Sequence, residues 1–554
     1  MEKAIRKYAL QNAIKFNGTA NPKALVGKIM GEFPEARANP KETMIKVNQI
    51  TSEVNKLGVA AQTKELQELA PELLEKKVKV ERDIFAFLNL TGKTNTAYPP
   101  GPEKYPHLGH AKASIANYEL AKRTGGKFVL RFEDTNPKLV KNKFYEIIMD
   151  NLKWLGLEWD ELVYASDHMD MFYEKAEIMI KKDKAYMCTC GPEQIKEGRA
   201  DGNECNCRKQ TVDQNYKQWK DFFKAKQGSG ILRLKIDLSH KNSTMRDPTI
   251  FRIIDHPHAR YKEQYRVWPN YDFQNAIMDS FSDIDMRIRS KEFEMRCELQ
   301  RWVQKELNIK ETSTYEIGRF NVEGVLSSGR VIREKVQSGE LIGWDDPSLP
   351  TLVALKRRGF QPKAIKDFVM STGFSKNEAT VTWDDIIMHN KRLLDKEALR
   401  YFFIDDPIEI HIDGAPEIEV TLGLHPSDES KGFRKFQTNG KFLITKNDYE
   451  KLQDNDIVRL MDCLNFEFKN SEFTFHSQGH KEFKEASGKK IMHFLPVQDD
   501  LVDVEILMPD KKVVTGKSSP YANKIEEGQV IQFERFGFCR LDKSGEKKSF
   551  WFTH

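Results

Sequence analysis

Apolar residues recur at two different spacings along this chain, and the change of spacing separates helical regions from strand regions. In KAIRKYALQNAIKF and PKETMIKVNQITSEVNKLG they recur every three or four residues, which predicts helices over residues 1–90. The same spacing returns in 140–185, with MFYEKAEIMI, and in 331–402, with LPTLVALKRRGF. These three regions are therefore predicted to be helical.

A period of two marks the strands. ILRLKID (231–237) places Leu232, Leu234 and Ile236 on one face, and the surrounding residues 185–275 are interpreted as an insertion. From about Pro407 onward, short strands such as VDVEIL, GQVIQF and KSFWF favour one or two β-barrels. Within them IEIHI, Asp413-Gly414 and IEVTL predict a β-hairpin, because Asp-Gly between alternating runs is a strong turn signal.

A βαβ unit begins near Thr94. The extended TNTAY is followed by a Pro/Gly-rich loop (98–106), and then by a helix that is predicted from about Leu108 to Arg123 and ends at Gly125-Gly126. KFVLRF (127–132) is a nearly continuous apolar strand. Strand, helix and strand in this order predict a parallel sheet with its site at the carboxyl ends of the strands.

Composition narrows the class of protein. Of 554 residues, 39% are hydrophobic and 31% charged, and the net charge is +5, which excludes a polybasic tail and wholesale disorder. No uncharged apolar run approaches the ~20 residues of a membrane span, and the first residues lack the pattern of a secretory signal. We therefore expect a cytoplasmic protein with no membrane partner.

The sequence His107-Leu108-Gly109-His110 opens the predicted helix. Imidazoles three residues apart face the same side, and a helix N-terminus attracts anions. This arrangement suits a polyphosphate whose charge grows during a reaction. On these four residues alone, two ordinary surface histidines would be the better interpretation, because short motifs recur by chance.

Four of the seven cysteines lie within twenty residues. Cys188, Cys190, Cys205 and Cys207 form two C-x-C pairs, and four thiolates satisfy a tetrahedral Zn²⁺. The alternative is four reduced thiols that are buried as small apolar groups. The clustering of the cysteines favours zinc over free thiols. Such a zinc would be structural, because four protein ligands leave no open position for catalysis.

Several blocks together resemble one known family. PPGPEKYPHLGHAKA, LRFEDTNP (130–137), YDF with a following Asp (271–279) and GWDDPSLPTLVALKRRGF (343–360) resemble the glutamyl/glutaminyl subgroup of class I aminoacyl-tRNA synthetases. The N-terminal helices and the C-terminal strands are similar to the archaeal-type glutamyl branch, whose members are known to carry a zinc in the insertion.

The resemblance implies an α/β Rossmann-like class I synthetase catalytic domain with an N-terminal helical module and C-terminal all-β anticodon-binding barrels. The implied domains are a helical module (1–90), a split catalytic domain (91–330) with a zinc-bearing acceptor-end insertion (about 170–275), a helical connector (331–402) and an anticodon-binding β-barrel region (403–554). The implied reaction uses ATP with Mg²⁺ to attach L-glutamate to tRNA(Glu), with tRNA(Gln) as a further candidate, through an aminoacyl-adenylate.

The resemblance also implies roles for particular residues. Those at or near ATP would be Pro102, His107, Leu108, Gly109, His110, Arg319, Leu326, Ser327 and Arg330, and of these His107, His110 and Ser327 would be catalytic. Glu133 would hold the substrate ammonium group, the alternative being an ordinary surface pair with Arg131. Tyr271 would contact the amino-acid side chain.

Two departures from the family concern lost cations. In the mobile loop, VLSSGR (325–330) keeps Ser327 but lacks both family lysines, so Arg330 is a candidate substitute. Ala97 stands where the family usually has an Arg for a substrate carboxylate. Lys104, Arg287 or Arg289 could supply that charge, and sequence does not rank them, although Arg suits a bidentate grip.

RNA contacts are expected to be distributed over several parts of the chain. Lys356-Arg357-Arg358 and the basic residues of 389–400 are candidates for phosphate contact, although each could be a solvated helix face. Aromatic residues that could stack on anticodon bases or belong to the core are Phe433, Phe436, Phe533, Phe536 and Phe538. The rival functions are a glutaminyl-tRNA synthetase and a catalytically dead tRNA-binding paralogue.

Overall fold

The computed structural model describes residues 1–16, 18–74, 84–326 and 328–554. The chain divides between residues 83 and 84 into two compact units. Among the described residues, no helix combines the length and apolar content that a membrane crossing requires.

The N-terminal unit is helical in its described part. Its helices are α1 (Glu2–Lys15), α2 (Pro22–Glu32), α3 (Pro34–Ala38), α4 (Pro40–Asn55) and α5 (Val59–Leu69). Proline occupies the first position of α2, α3 and α4, where its missing N–H has no intrahelical acceptor. The apolar face of α1, with Ile5, Ala9 and Ala13 fully buried, packs against α4 and α5. The helical prediction is confirmed up to Leu69. Residues 75–83 lie outside the described residues, and residues 84–90, in the second unit, hold only the 3-10 turn Ala86–Leu88.

The middle of the chain alternates strands with helices. Its strands are β1 (Thr96–Tyr98), β2 (Phe128–Phe132), β3 (Glu161–Tyr164), β4 (Ala185–Cys188), β5 (Ile231–Leu234), β6 (Thr249–Ile253), β7 (Val267–Pro269), β8 (Met286–Ser290), β9 (Ser313–Ile317), β10 (Phe320–Val322) and β11 (Ala379–Val381). Its helices are α6 (Leu108–Thr124), α7 (Asn142–Trp154), α8 (Met169–Lys181), α9 (Pro192–Asp201), α10 (Val212–Phe222), α11 (Tyr271–Phe281), α12 (Glu294–Leu307), α13 (Gly329–Gln337), α14 (Leu352–Arg358), α15 (Pro362–Thr372) and α16 (Trp383–Glu397).

A five-stranded parallel sheet, in the order β3-β2-β1-β8-β9, organises this region. Its strands are buried on both faces, since Ala97 and Val129 enter one apolar core while Tyr98 and Leu130 enter another. Along the chain, β2 and β3 are added on one side of β1, and β8 and β9 are added later on its other side. The direction in which strands are added therefore reverses between β1 and β8. A crevice at the carboxyl ends of these two strands is the expected place for a ligand.

The predicted βαβ unit is confirmed. Helix α6 ends at Gly125, whose φ of +71° favours glycine. At Gly126 a β-carbon would lie 2.0 Å from the Thr94 carbonyl oxygen, so only glycine fits. The Gly-Gly pair thus lets the chain turn tightly from α6 into β2.

Two regions that were predicted to be helical also contain strands. In 140–185 the short run β3 pairs in parallel with β2, because its β-branched and aromatic residues suit a sheet edge. In 331–402 the strand β11 pairs with β10. The antiparallel sheet β4-β5-β6-β7 lies in the predicted insertion, with Leu232 and Leu234 buried as expected and Ile236 half-buried.

The C-terminal region consists mainly of strands. They are β12 (Arg400–Tyr401), β13 (Phe403–Asp405), β14 (Pro407–His411), β15 (Glu419–Gly423), β16 (Phe433–Gln437), β17 (Lys441–Thr445), β18 (Asp456–Leu460), β19 (Asn465–Lys469), β20 (Glu472–Ser477), β21 (Lys490–Met492), β22 (Leu495–Pro496), β23 (Val502–Leu507), β24 (Val513–Ser518), β25 (Val530–Phe533), β26 (Gly537–Ser544) and β27 (Lys548–Phe552). Short helices α17 (Lys446–Tyr449) and α18 (His480–Glu485) interrupt them.

The largest sheet here has the order β12-β25-β26-β27-β23-β24-β13. Its two edge strands, β12 and β13, are consecutive stretches of chain, so the sheet curls until its edges approach each other. The remaining strands form sheets of two, three and four strands.

The predicted hairpin at Asp413-Gly414 is wrong. Strand β14 pairs with β17, and β15 pairs with β16. The backbone of Asp413 instead exchanges hydrogen bonds with Phe473 and Phe475, and Pro416 has no N–H to continue a ladder. A local turn signal is overridden by strand pairing over a longer range.

Candidate functional site

The two imidazoles of the His107–His110 motif lie against each other at the first turn of α6. Their ring centroids are 4.0 Å apart at 64°. His107 Nδ1 accepts the backbone N–H of Gly109 at 3.0 Å, and His110 Nδ1 accepts the backbone N–H of His107 at 3.2 Å. A β-carbon at position 109 would lie 2.9 Å from His107 Cε1, which explains the glycine.

These hydrogen bonds determine what the imidazoles can offer a ligand. Burial, with a smaller effect of nearby Lys104, lowers the pKa of His107 to about 4. Burial also lowers the pKa of His110 well below its usual value. Both rings are therefore neutral at pH 7, and because Nδ1 accepts a hydrogen bond in each, the proton resides on Nε2. Each ring presents an Nε2–H donor, as stabilisation of a polyphosphate requires.

The GWDDP block supports the loop before α6. Tyr105 stacks on Trp344 with centroids 5.1 Å apart. The backbone N–H of Leu108 donates to Pro350 O at 3.2 Å, and that of Leu352 donates to Pro106 O at 2.9 Å. Blocks that are separated by more than 200 residues in sequence thus form one structural unit at the helix start.

Glu133 follows β2 at the carboxyl edge of the sheet. Its Oε1 accepts hydrogen bonds from Arg131 Nε at 2.9 Å and from Asn275 Nδ2 at 3.0 Å. Its Oε2 is buried and has no hydrogen-bond partner among the described residues. The backbone N–H of Glu133 donates to Pro100 O at 3.0 Å, which joins this carboxylate to the ATP loop. The alternative of a surface pair with Arg131 is wrong, because both side chains are buried.

Glu133 belongs to a closed ring of five buried side chains, which we call the Glu133 ring. Its members are Glu133, Arg131, Asp279, Arg287 and Asn275. Arg131 Nη2 donates to Asp279 Oδ1 at 2.7 Å, and Arg287 Nη1 donates to Asp279 Oδ2 at 2.9 Å and to Asn275 Oδ1. Two guanidiniums thus face two carboxylates.

The charges of the ring act differently on its two acids. Burial raises the pKa of Glu133, and Arg131 and Arg287 oppose that rise. For Asp279 burial acts in the same direction, but attraction by Arg287 and Arg131 outweighs it and lowers the pKa below the usual value. Sequence analysis did not identify Arg131 as a bridge between Glu133 and Asp279, and it did not identify Asn275 at all. Both roles depend on contacts between distant segments, which no local sequence pattern indicates.

Arg289 differs from Arg287 in its partners. Its Nη2 donates to Tyr271 Oη at 2.8 Å and its Nη1 donates to Gln300 Oε1 at 2.8 Å, while Nε is buried without a partner. The guanidinium also lies over the Phe293 ring at 4.7 Å. No carboxylate of the described residues forms an ion pair with Arg289 within 4.0 Å, so this buried cation is open to an anionic ligand.

The other predicted ATP residues differ in how far they are exposed. Pro102 is buried and its carbonyl accepts the N–H of Lys141 at 3.1 Å. Arg319 is half exposed and pairs with Glu292. Leu326 is half-buried, Arg330 is largely exposed and pairs with Glu334 at 3.2 Å, and Ser327 lies outside the described residues.

Ala97, the position that lacks the family Arg, is fully buried in β1. Lys104, the third candidate for the missing cation, is exposed on the loop, unlike Arg287 and Arg289.

The four clustered cysteines converge. Their sulfur atoms all lie within 4.8 Å of one another, with 4.0 Å between Cys188 and Cys205 and 3.9 Å between Cys190 and Cys207. A tetrahedron of Zn–S bonds of about 2.3 Å separates sulfurs by about 3.8 Å. Residues from β4 and from the segment after α9 therefore form a group that fits a tetrahedral metal ion.

Burial excludes some of the aromatic residues that were candidates for stacking on RNA bases. Phe436, Phe533 and Phe538 belong to apolar cores, whereas Phe433 is 47% exposed. Phe536 is partly buried against the core of the large sheet.

The basic residues that were candidates for phosphate contact also include buried or ion-paired side chains and exposed ones. Arg358 is buried and donates to backbone carbonyls such as Thr553 O, and Arg357 bridges Asp345 and Asp542. Lys356, Lys391 and Arg392 are exposed, so they remain candidates for phosphate contact.

Comparisons with known proteins identify the family of this chain. Residues 93–396 match the family model described as tRNA synthetases class I (E and Q), catalytic domain, and residues 398–483 match the anti-codon binding domain of the same group. A Glutamate–tRNA ligase of Pyrococcus furiosus is 38% identical over 98% of this chain and 97% of its own length. That of Pyrococcus abyssi is 38% identical over the whole of both chains.

A solved glutamate tRNA ligase from Elizabethkingia meningosepticum is 19% identical, with a TM-score of 0.41 over 55% of this chain and 70% of its own. The full-length sequence relatives and the two family models establish that the chain belongs to the class I tRNA synthetases of the E and Q group.

Proposed function

We propose that this protein is a glutamate–tRNA ligase that activates L-glutamate with ATP and transfers it to tRNA. The observation that carries the choice of amino acid is the buried guanidinium of Arg289, which has no carboxylate partner among the described residues. A γ-carboxylate would form a direct ion pair there, which a neutral amide cannot do. The full-length relatives named Glutamate–tRNA ligase support the same choice.

The first step joins glutamate to ATP. An oxygen of the glutamate α-carboxylate attacks the α-phosphorus, the bond to the β-phosphate oxygen breaks, and pyrophosphate leaves. His107 and His110 would donate their Nε2–H groups to the phosphates as negative charge grows on the leaving group. Gly109 and Leu108 would border the nucleotide, and Mg²⁺ would accompany ATP as part of the substrate.

Further residues of the ATP site come from the loops around it. Pro102 would border the nucleotide, and Arg319 would flank the adenine after releasing Glu292. Leu326, Ser327 and Arg330 would approach the phosphates in the bound complex. Arg330 is exposed and paired only with Glu334 on the surface, and its guanidinium could take the place of a lysine in that loop.

The amino-acid pocket would hold glutamate at both ends. The unpartnered Oε2 of Glu133 would accept a hydrogen bond from the α-ammonium group. Arg289 would pair with the γ-carboxylate, and Tyr271, whose hydroxyl accepts from Arg289 at 2.8 Å, would fix that guanidinium in place. Arg287 lies in the same pocket with Asp279 as its partner.

In the second step a hydroxyl of the tRNA terminal ribose attacks the activated carbonyl carbon. The bond to the adenylate oxygen breaks, AMP leaves, and glutamate becomes esterified to the RNA. The tRNA(Glu) is the proposed acceptor and tRNA(Gln) a further one, and exposed Lys356, Lys391, Arg392 and Phe433 are candidate RNA contacts. A protein-synthesis enzyme of this kind would work in the cytoplasm.

The cysteine cluster would hold one structural Zn²⁺. Cys188, Cys190, Cys205 and Cys207 would supply four thiolates, and the spacing of their sulfur atoms supports a tetrahedral site. The metal would join β4 to the segment after α9 and so stiffen the insertion that would meet the acceptor end.

A charging experiment tests the proposal. The full-length protein is incubated with ATP, Mg²⁺, total tRNA and either labelled glutamate or labelled glutamine, with Glu133→Gln as the matched control of reduced activity. We expect glutamate to become attached, and the Glu133→Gln protein to lose at least ~10-fold in kcat/KM. Charging with glutamine alone would assign the protein to the glutaminyl rival, and no charging with either would assign it to the tRNA-binding rival.

A further inference from the structure

Position 287 carries a cation inside the sheet beside the smallest side chain of β1. Thr96 of β1 is in register with Met286 of β8, so Arg287 follows next to Ala97. Ala97 is fully buried and carries only a methyl group, which leaves room for the long side chain of Arg287. Arg287 is 3% exposed, so this placement keeps its guanidinium buried.

Arg287 holds two other members of the Glu133 ring, Asp279 and Asn275. Its Nη1 contacts both Asp279 carboxylate oxygens, at 2.9 and 3.1 Å, and it also donates to Asn275 Oδ1. Asn275 in turn donates to Glu133 Oε1 at 3.0 Å. Through Asn275 and Asp279, Arg287 therefore fixes the position of the Glu133 carboxylate without being part of an ion pair with it.

We propose that Arg287 is a positioning residue that keeps Glu133 ionised and oriented for the substrate ammonium group, and that it does not itself grip the substrate γ-carboxylate. The proposal rests on the proposed function, because it takes Glu133 as the group that receives the ammonium.

The charge balance of the ring explains why this cation is needed. The charged groups that face Glu133 are Arg131 on its own strand, Arg287 on β8 and Asp279 on α11. With Arg287 present, two guanidiniums balance two carboxylates. Without it, two buried carboxylates share one guanidinium, and one of them takes up a proton. Glu133 is that one, since burial already raises its pKa while the pKa of Asp279 lies below its usual value.

Arg287→Met tests the idea because it removes the charge and keeps most of the length. The measurement is kcat/KM for glutamate between pH 5.5 and 8.5, by glutamate-dependent ATP–pyrophosphate exchange with tRNA present. We expect the acid limb to move upward by about one pH unit or more, so that activity falls ~10-fold near pH 6 and recovers toward pH 8.5. The preference for glutamate over glutamine should stay unchanged.

A charge-matched double variant separates this mechanism from a packing defect. Arg287→Met with Asp279→Asn again leaves one guanidinium facing one carboxylate, so the acid limb should return to its original position. Arg123→Met is the control, because Arg123 pairs with Glu119 at the carboxyl end of α6, outside the ring. If Arg287→Met does not fold, Asp279→Asn alone tests the idea with the opposite sign, since loss of a negative charge should move the acid limb to lower pH.

Two results would overturn the proposal. One is a loss in Arg287→Met that is equal at every pH and abolishes the preference for glutamate, which would make Arg287 a direct γ-carboxylate ligand. The other is an acid limb that moves in neither Arg287→Met nor Asp279→Asn. Failure of the proposed function looks different: the unsubstituted protein would show no glutamate-dependent exchange at any pH.

Discussion

Replacing Arg289 with methionine should lower activity with glutamate far more than it lowers activity with glutamine. Arg289 is 4% exposed, and its guanidinium is held by Tyr271 and Gln300 but paired with no acid of the described residues. Methionine keeps the length of the side chain and removes the charge. The substrate γ-carboxylate would then be buried without a counter-ion.

The magnitude follows from that loss. Breaking a buried ion pair by removing one partner costs about 3–5 kcal/mol, which corresponds to roughly a 10²-fold or larger fall in kcat/KM for glutamate. Glutamine would lose only a hydrogen bond that is worth about 0.5–1.5 kcal/mol, or ~10-fold at most. The preference for glutamate should therefore shrink by at least ~10-fold.

The assay is competition between differently labelled glutamate and glutamine for the same tRNA pool, with kcat/KM measured for each amino acid. Arg123→Met serves as the matched control, because Arg123 is 36% exposed and already paired with Glu119 at 3.3 Å. Equal losses for the two amino acids in Arg289→Met, or a loss for glutamate below ~3-fold, would refute the assignment of the γ-carboxylate to Arg289.

Three further predictions concern the imidazoles, the metal and acid stability. His110→Ala should slow adenylate formation ~10²-fold or more with tRNA affinity near normal, and unchanged pyrophosphate exchange would remove the imidazoles from the mechanism. Elemental analysis should find about one Zn per chain. Cys205→Ser should release that metal and raise the KM for tRNA more than the KM for ATP, whereas Cys463→Ser should retain it, and a metal-free protein of normal activity would contradict the site. Burial lowers the pKa of His493 from 6.5 to about 4. As pH falls, the unfolded state binds this proton first, so native stability is lost between pH 6.5 and 4, by up to about 3 kcal/mol. Urea unfolding of His493→Gln should depend less on pH in that window than unfolding of the exposed-site control His411→Gln, and equal pH dependence would exclude this contribution.

Local pattern was sufficient to predict the elements that carry the nucleotide site. The Pro-rich loop and the Gly125-Gly126 stop delimit α6 within one residue at its carboxyl end. Proline and glycine act as helix boundaries through their own backbone geometry, so a few neighbouring residues are enough to predict where the helix begins and ends. The same holds for the cysteines, whose clustering in sequence matches their clustering in space.

Long-range pairing was beyond the reach of local pattern. The Asp413-Gly414 hairpin failed because β14 and β15 each pair with another strand. The Glu133 ring joins residues up to 148 positions apart, and no periodicity indicates that Arg131 and Asp279 meet. Likewise, the sequence could not rank Lys104, Arg287 and Arg289, because the ranking depends on which cation already has an acid beside it.

A crystal structure with a non-hydrolysable glutamyl-adenylate analogue, glutamyl-sulfamoyl-adenosine, tests the account most directly. We expect the adenylate part beside Gly109 with its sulfamate near His107 and His110, the ammonium on Glu133 Oε2, and the γ-carboxylate on Arg289. Arg287 should stay bound to Asp279. A γ-carboxylate that contacts Arg287 or Lys104, or an analogue bound away from the carboxyl ends of β1 and β8, would contradict the account.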